Sequence, residues 1–282
     1  MKNDRRRMTP AAIAIIIGLT LTSCAGLRTP PPSTSPLTNP IEQLFSAYLY
    51  MQTAAEYDAV CIQTYNWAAE RLRSKLAALP KEGPPPAVIM DLDETVMDNG
   101  GYESFLIREG VGDSPALWDV WERDFASEVA VVLGAKAFIE AAEQMGVTVV
   151  YITNRMMKYR DETVAALQSM GLSVEGIDRR LFLKESTTDK TERRKKAEAM
   201  YRVVLWIGDG LRDFTQDFAA PTRYASDAER RRAIAERKEK VLRAASRFGD
   251  DWIILPNPMY GDWLKPLGPD PRKFLRPTGM KK

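Results

Sequence analysis

The chain has 282 residues, and its 40 Lys and Arg against 38 Asp and Glu leave a formal net charge of +2. That balance gives no broad electrostatic pull on a nucleic-acid polymer. The sequence contains no histidine, which excludes Ser-His-Asp hydrolases and any phosphohistidine chemistry.

The first segment reads as an export signal. Lys2, Arg5, Arg6 and Arg7 precede an apolar run over residues 11–21. The run falls short of the roughly 20 residues of a spanning helix but suits a signal peptide, residues 1–23. It leads into Leu21-Thr22-Ser23-Cys24, which resembles the lipobox of bacterial lipoproteins. The resemblance implies cleavage before Cys24 and lipidation of its thiol. Several acyl chains, at about 0.8 kcal/mol per buried CH2, would hold the mature chain on a membrane. An ordinary cleavage site with an incidental cysteine is the alternative. Ala25, where an Asp would signal inner-membrane retention, points to the outer membrane (periplasmic or surface face) in a host with two membranes. Residues 24–40 hold Pro30, Pro31, Pro32, Pro36 and Pro40 among Ser and Thr and read as a stiff tether. With Cys24 modified, Cys61 is the last thiol; an intrachain disulfide is excluded, and a buried, inert cysteine is expected.

The spacing of Leu44, Leu49, Tyr57, Ile62, Leu72 and Leu76 predicts one or two helices over residues 41–79, closed by Pro80 and Gly83. The series Tyr48, Tyr50, Tyr57, Tyr65 and Trp67 is expected to pack these helices on the body. Three prolines then introduce an apolar run, residues 87–90, that reads as a buried strand of a parallel sheet. It ends in Asp91 and Asp93, whose period-2 spacing puts both side chains on one side of an extended backbone. Two charges about 4 Å apart repel by about 4 kcal/mol at an effective dielectric of about 20. A divalent cation on oxygen ligands would compensate. Acids that merely open a helix are the plainer reading.

Residues 99–133, with Gly100-Gly101, Tyr102, Trp118 and Trp121, read as a loop plus helix. Alternation then resumes. Helices are predicted over 135–145, 158–170 (stopped by Gly171), 191–201 and 227–247, and strands over 147–152, 180–183, 203–207 and 252–255. The pattern predicts an α/β fold: a doubly wound, Rossmann-like parallel sheet flanked by helices, with an N-terminal helical extension and ligands at the carboxyl ends of the strands. Residues 41–282 form one domain, with 265–282 as a tail. No internal repeat, P-loop or dinucleotide fingerprint is present. The run Arg193-Arg194-Lys195-Lys196 reads as a solvated helix face.

The strand ends carry the chemistry. The strand over 147–152 runs into Thr153-Asn154-Arg155, where a hydroxyl and exposed backbone amides can bind phosphate oxygens, although Thr is also an ordinary helix cap. A cationic lysine could come from Lys184 or Lys190. The strand over 203–207 ends in Gly208-Asp209-Gly210-Leu211-Arg212-Asp213, two acids at a spacing that stacks side chains on one helical face. Neither cysteine has an Arg six positions on, so a cysteine-loop phosphatase is excluded.

Asp91-Leu92-Asp93-Glu94-Thr95, Thr153-Asn154, Lys190 and Asp209 with Asp213 together resemble the signatures of haloacid dehalogenase-like phosphatases. With the lipobox and Leu255-Pro256-Asn257-Pro258-Met259-Tyr260-Gly261-Asp262-Trp263, they resemble the bacterial class C acid phosphatases, which include 5′-nucleotidases, over roughly residues 40–265. The resemblance implies Asp91 as nucleophile and Asp93 as general acid and base. It implies Mg2+ held by Asp91, the Asp93 carbonyl and Asp209, with Asp213 reaching it through water or orienting other groups. Phosphate would be bound by Thr153, Asn154 and Lys190, with Lys190 preferred to Lys184 by the subgroup pattern. Tyr260 would stack on a substrate base, and Trp263 would pack. Residues 99–133 would form a small cap acting as a partial lid. Gly210 departs from the Asn usual in relatives. The expected partner is a small phosphomonoester; oligomeric state is not readable. A phosphotransferase using the same site, or a non-catalytic surface lipoprotein, are the alternatives.

Overall fold

The computed structural model describes residues 40–276. The signal peptide, the Cys24 lipobox, most of the tether and residues 277–282 lie outside the described residues. No helix among the described residues is long and apolar enough to cross a membrane.

Two helices, α1 (Pro40–Thr53) and α2 (Ala55–Ala77), open the chain, broken at Ala54 by extended backbone. Tyr57, Cys61, Tyr65, Ala68 and Leu72 recur at helical spacing and form the buried stripe of α2. Strand β1 (Pro86–Met90) follows. Then come β2 (Met97–Asp98), α3 (Gly100–Glu109), α4 (Pro115–Asp124) and β3 (Ala130–Val131), which make the cap. The body continues with α5 (Ala135–Gln144), β4 (Thr148–Met156), α6 (Arg160–Ser169), α7 (Ile177–Arg180) and β5 (Leu181–Lys184). It closes with α8 (Thr191–Met200), β6 (Arg202–Gly208), α9 (Asp227–Arg243) and β7 (Trp252–Ile254).

Five parallel strands form the main sheet in the order β5-β4-β1-β6-β7. β1 lies at its centre, with Met90 opposite Tyr151 on one side and Ile207 on the other. From β1 the chain builds outward through β4 and β5, then returns to add β6 and β7 on the opposite flank. Strand order therefore reverses between β1 and β6, where an open α/β sheet leaves its ligand crevice. Asp91 and Asp209 immediately follow those two strands. Both faces of β1 are covered: Val88 and Met90 enter the core shared with α2 and α5, and Ile89 packs with Val150, Ile152 and Ala197. That double burial is why the strand is an unbroken apolar run.

The cap holds two helices where the sequence suggested a loop plus one. Gly110 ends α3 in the left-handed region (φ 64°), and Ser114 starts α4 by accepting the Leu117 amide at 3.2 Å, with Pro115 in the first turn. β2 and β3 pair antiparallel to close its base. The basic run of α8 divides: Arg193 and Arg194 are buried, and Lys195 and Lys196 are solvated. Helical periodicity turns the two arginines toward loop carbonyls at the strand ends, which need donors. The aromatic series also divides, because Tyr48, Tyr57 and Tyr65 are buried whereas Tyr50 and Trp67 are exposed.

Candidate active site

The acids reach the strand ends through tightly folded turns. After β1, the Leu92 carbonyl accepts the amides of Thr95, Val96 and Met97 at 3.2, 2.8 and 2.8 Å. This loop holds Glu94 at φ 51°, the one non-glycine residue at positive φ among the described residues. Such a conformation costs on the order of 1 kcal/mol and is maintained by the surrounding structure. Asp91 Oδ1 is fixed twice, by the Leu92 amide at 2.8 Å and by Lys190 Nζ at 2.7 Å. Its Oδ2 accepts no hydrogen bond from the protein among the described residues.

Lys190 precedes α8 and is 3% exposed. Its ammonium also reaches Asp213 Oδ1 at 2.6 Å. Asp213 does not stack on an α-helical face as its spacing from Asp209 suggested. Leu211–Asp213 is a 3-10 turn, and the side chain folds back so that Oδ2 accepts the Gly210 amide at 2.8 Å. A Cβ on Gly208 would lie 2.4 Å from that Oδ2, so the strand end requires glycine for close approach. Asp209 accepts the Thr95 hydroxyl at 3.2 Å on one oxygen and Asn257 Nδ2 at 2.8 Å on the other. One oxygen from each of Asp91, Asp209 and Asp213 lies within 4.8 Å of the others.

Asp93 belongs to a second network. Its Oδ1 accepts Arg155 Nε at 2.8 Å and Asn99 Nδ2 at 3.0 Å. Arg155 is completely buried, and its Nη2 donates to Asn99 Oδ1 at 2.8 Å, an oxygen that also accepts Trp121 Nε1 at 2.8 Å. Cap helix α4 is thus two hydrogen bonds from Asp93. Thr153 does not line the cavity: its hydroxyl accepts the Arg155 amide at 3.0 Å and lies 3.5 Å from Asp93 Oδ2. Asn154 does line it, with its Oδ1 held by Arg193 at 2.9 Å.

A cavity of about 450 Å³ stands over this floor. Tyr48, Tyr102, Glu103, Asp113 and Trp118 line it from α1 and the cap. Lys184, Thr188, Arg212, Arg237, Asp262 and Lys265 line it from the body, together with Tyr260. Trp263 is half-buried and donates to the Tyr260 carbonyl at 2.9 Å, a packing role.

Residues 32–263 match the family model of the HAD superfamily, subfamily IIIB (acid phosphatase). The chain belongs to that family. It is also similar to the class C acid phosphatase of Bacillus anthracis in two solved structures, at 31% identity in both. The form with tungstate bound superposes with a TM-score of 0.72 over 82% of this chain and 90% of that one. The other gives 0.71 over 81% and 89%. The chain is therefore an acid phosphatase of the haloacid dehalogenase-like class, a phosphomonoesterase acting on small phosphate esters.

The floor of this phosphatase suits the divalent cation such enzymes use. Burial raises the Asp91 pKa well above the carboxylate range; the Lys190 charge opposes this, and the charges of Asp213, Asp209 and Asp93 add to it. Burial, then Asp213, pushes Asp209 up to about 7. Burial alone would lower Lys190, but Asp213 and Asp91 outweigh it and hold the ammonium protonated. Three carboxylate oxygen donors gathered this closely, two of them with their ionisation disfavoured by burial and by their neighbours' charge, fit a hard divalent cation.

Several of the contacting residues escaped the sequence reading. Arg155 and Asn99 hold Asp93, and Asn257 holds Asp209. Asn257 also turns the chain toward Tyr260 by accepting the amides of Met259 at 2.9 Å and Tyr260 at 3.3 Å. A signal for Arg155 was present: it stands two residues after Thr153 in the same strand, and strand periodicity gives both the same face. Tyr48 carried none, because its helical spacing is that of a packing residue.

Proposed function

We propose that the protein is a Mg2+-dependent acid phosphatase that hydrolyses phosphomonoesters, nucleoside 5′-monophosphates among them, through a phosphoryl-Asp91 intermediate. The observation that carries this reading is the asymmetry of Asp91, whose Oδ1 is held by Lys190 and the Leu92 amide while Oδ2 has no protein partner. That free oxygen attacks phosphorus, the P–O bond to the alcohol breaks, and the phosphoryl group passes to Asp91. Asp93 gives its proton to the leaving alkoxide, then takes one from the water that hydrolyses the intermediate. Arg155 and Asn99 keep the Asp93 carboxyl aimed for both steps. Lys190 draws on its bonds to Asp91 and Asp213 to stay charged and in place, and it stabilises charge on the transferred group. Asn154 completes the phosphate side at the cavity wall, while Thr153 supports Arg155 and Asp93 from inside the fold. Asp91, Asp209 and the Asp93 carbonyl would hold the cation, with Asp213 orienting Lys190; when bound, Mg2+ offsets the repulsion between nucleophile and phosphate. Tungstate, the ligand of the Bacillus anthracis relative, is a tetrahedral oxyanion of the kind this site would take.

Tyr260 at the cavity wall is the residue proposed to stack on a nucleotide base. Export and lipidation at Cys24 would place the enzyme on a membrane, the outer one in a host that has two.

Acid-quenched mass spectrometry during turnover tests the mechanism. A phosphoryl adduct on the peptide carrying Asp91 is expected, and its absence under saturating substrate would overturn the covalent route. A panel of nucleoside, sugar and aryl phosphates tests the substrate class, and nucleotides turned over no better than the poorest aryl ester would remove the nucleotidase reading.

A further inference from the structure

The floor described above binds one phosphoryl group, yet the body wall of the same cavity carries positive charge that the floor does not use. Arg212, Arg237 and Lys265 gather around a single buried carboxylate, Asp262. Asp262 does not pair with all three. Its Oδ1 accepts Lys265 Nζ at 2.7 Å, and its Oδ2 takes both the Ala220 amide at 3.0 Å and Arg212 Nε at 3.2 Å. Arg237 is left with one bond, from Nε to the Phe218 carbonyl at 3.2 Å. The terminal amines of its guanidinium have no hydrogen-bond acceptor among the described residues. Arg212 spends one terminal amine on a long contact, 3.4 Å to the Thr188 hydroxyl. Among the residues that line this wall three cations face one anion, and Asp189, which interacts with Arg212 electrostatically, is the further acid nearby, so positive charge remains in excess.

Such an excess is unfavourable in a partly buried place. Burial, with Arg212 nearby, disfavours the charge on Arg237, and Asp262 only partly offsets it. A packing role would be served equally well by a neutral side chain. Guanidinium forks with open donors are instead suited to the oxygens of a phosphate or carboxylate, which they bind in paired hydrogen bonds. The cap side of the cavity bears Glu103 and Asp113, which offer an anion no cation and leave the body wall as its favourable side.

We propose that Arg237 and Arg212, with Lys265 and Asp262 framing them, form a second anion subsite that favours phosphomonoesters whose leaving alcohol carries a further phosphate or carboxylate. The inference rests on the phosphomonoesterase assignment alone and is independent of the nucleotide reading. The subsite discriminates among substrates and takes no part in bond breaking.

The test uses two series of alkyl phosphates of increasing chain length, one ending in a carboxylate and the other in a hydroxyl. At each length the pair is compared by kcat/KM, so the reach of the subsite need not be known. At one or more lengths the carboxylate is expected to be favoured by roughly tenfold, the effect of one charged hydrogen-bonding pair. Arg237→Gln should bring that ratio close to one, Arg237→Lys should retain most of it, and added salt should reduce it in the parent. Ratios within one preparation do not depend on the fraction folded. Turnover of the hydroxyl series reports the phosphomonoesterase itself. Equal rates for the two series at every length, or a preference that survives Arg237→Gln, would overturn the proposal.

Discussion

On the floor of the cavity, Asp91, Asp209 and Asp213 share one ammonium, Lys190; at the cap side, Glu103 and Asp113 share none among the described residues. The two places manage negative charge differently. The three floor carboxylates and one lysine leave two negative charges uncompensated, the charge of one divalent cation. At the cap, the Asp113 carboxylate accepts the Tyr102 hydroxyl at 2.5 Å. Burial pushes Glu103 up to about 7, opposed by the Tyr48 hydroxyl and assisted by the Asp113 charge. The floor is thus arranged to be neutralised by a metal ion, and the cap by a proton. Loss of metal should disable the first, and a change of pH should alter the second.

The largest expected effect is at the floor. Asp91→Asn removes the proposed nucleophile while keeping its shape, and kcat for an aryl phosphate should fall by at least about 10⁴-fold with the fold retained. Residual turnover near the parent rate would return Asp91 to a structural role.

Chelation comes next. EDTA should abolish turnover and Mg2+ should restore it. The metal-free protein should also show a distinctive stability profile. Asp209 holds its proton to about pH 7 in the folded chain, against an ordinary value of 3.8. Between those values the native state binds more protons than the unfolded state, so metal-free stability falls as pH rises through the window. Bound cation should flatten that fall. Thermal unfolding with and without Mg2+ at pH 4.5, 6 and 7.5 measures it, and parallel curves would mean the acids do not hold the ion.

Arg155→Met tests the network that joins floor to cap. Asp93 would keep Asn99 but lose its buried cation, and kcat should drop by about 10²-fold with KM little changed, as for a misaimed catalytic group. Breaking a buried ion pair costs about 3–5 kcal/mol of stability. Arg155→Lys should recover stability better than rate, because one ammonium cannot bond both Asp93 and Asn99 in the arginine's geometry. Gly208→Ala should have a smaller effect, roughly tenfold on kcat, by displacing Asp213 and with it Lys190.

The same contrast separates what was legible in the sequence from what was not. Asp91 and Asp209 each follow an apolar strand and could be located along the chain before their meeting was seen, whereas Lys190, six residues beyond β5, is preferred to Lys184 only by its resemblance to the family's subgroup pattern. The sheet was legible for a similar reason: burial on both faces makes its strands continuous apolar runs. Asp213 was found as a residue but not as a geometry, because the 3-10 turn that folds it back depends on the space left by Gly208. The arginines of α8 were misread because charge runs usually face solvent, and only the carbonyls above the sheet reverse that preference. The cap side was the least legible. It joins Tyr48 of α1 to Glu103 and Asp113, more than 50 residues away in each case, and no local pattern distinguishes a cavity tyrosine from a packing one.

The smallest expected effect, Glu103→Gln, examines that side directly. The folded-state pKa of Glu103 is about 7 against 4.5 ordinarily. The native chain therefore retains a proton that the unfolded chain loses, and stability falls as pH rises from about 4.5 to about 7. Glutamine is neutral throughout and abolishes this contribution. The variant should match the parent near pH 5 and exceed its Tm at pH 8, by about 2–4 °C for each kcal/mol relieved. Turnover of a neutral-tailed ester should stay within about threefold at pH 5, where both side chains are uncharged. A variant less stable than the parent at pH 8 would show that the ionised carboxylate has a partner worth more than its burial costs, and the cap side would then be metal- or cation-managed like the floor.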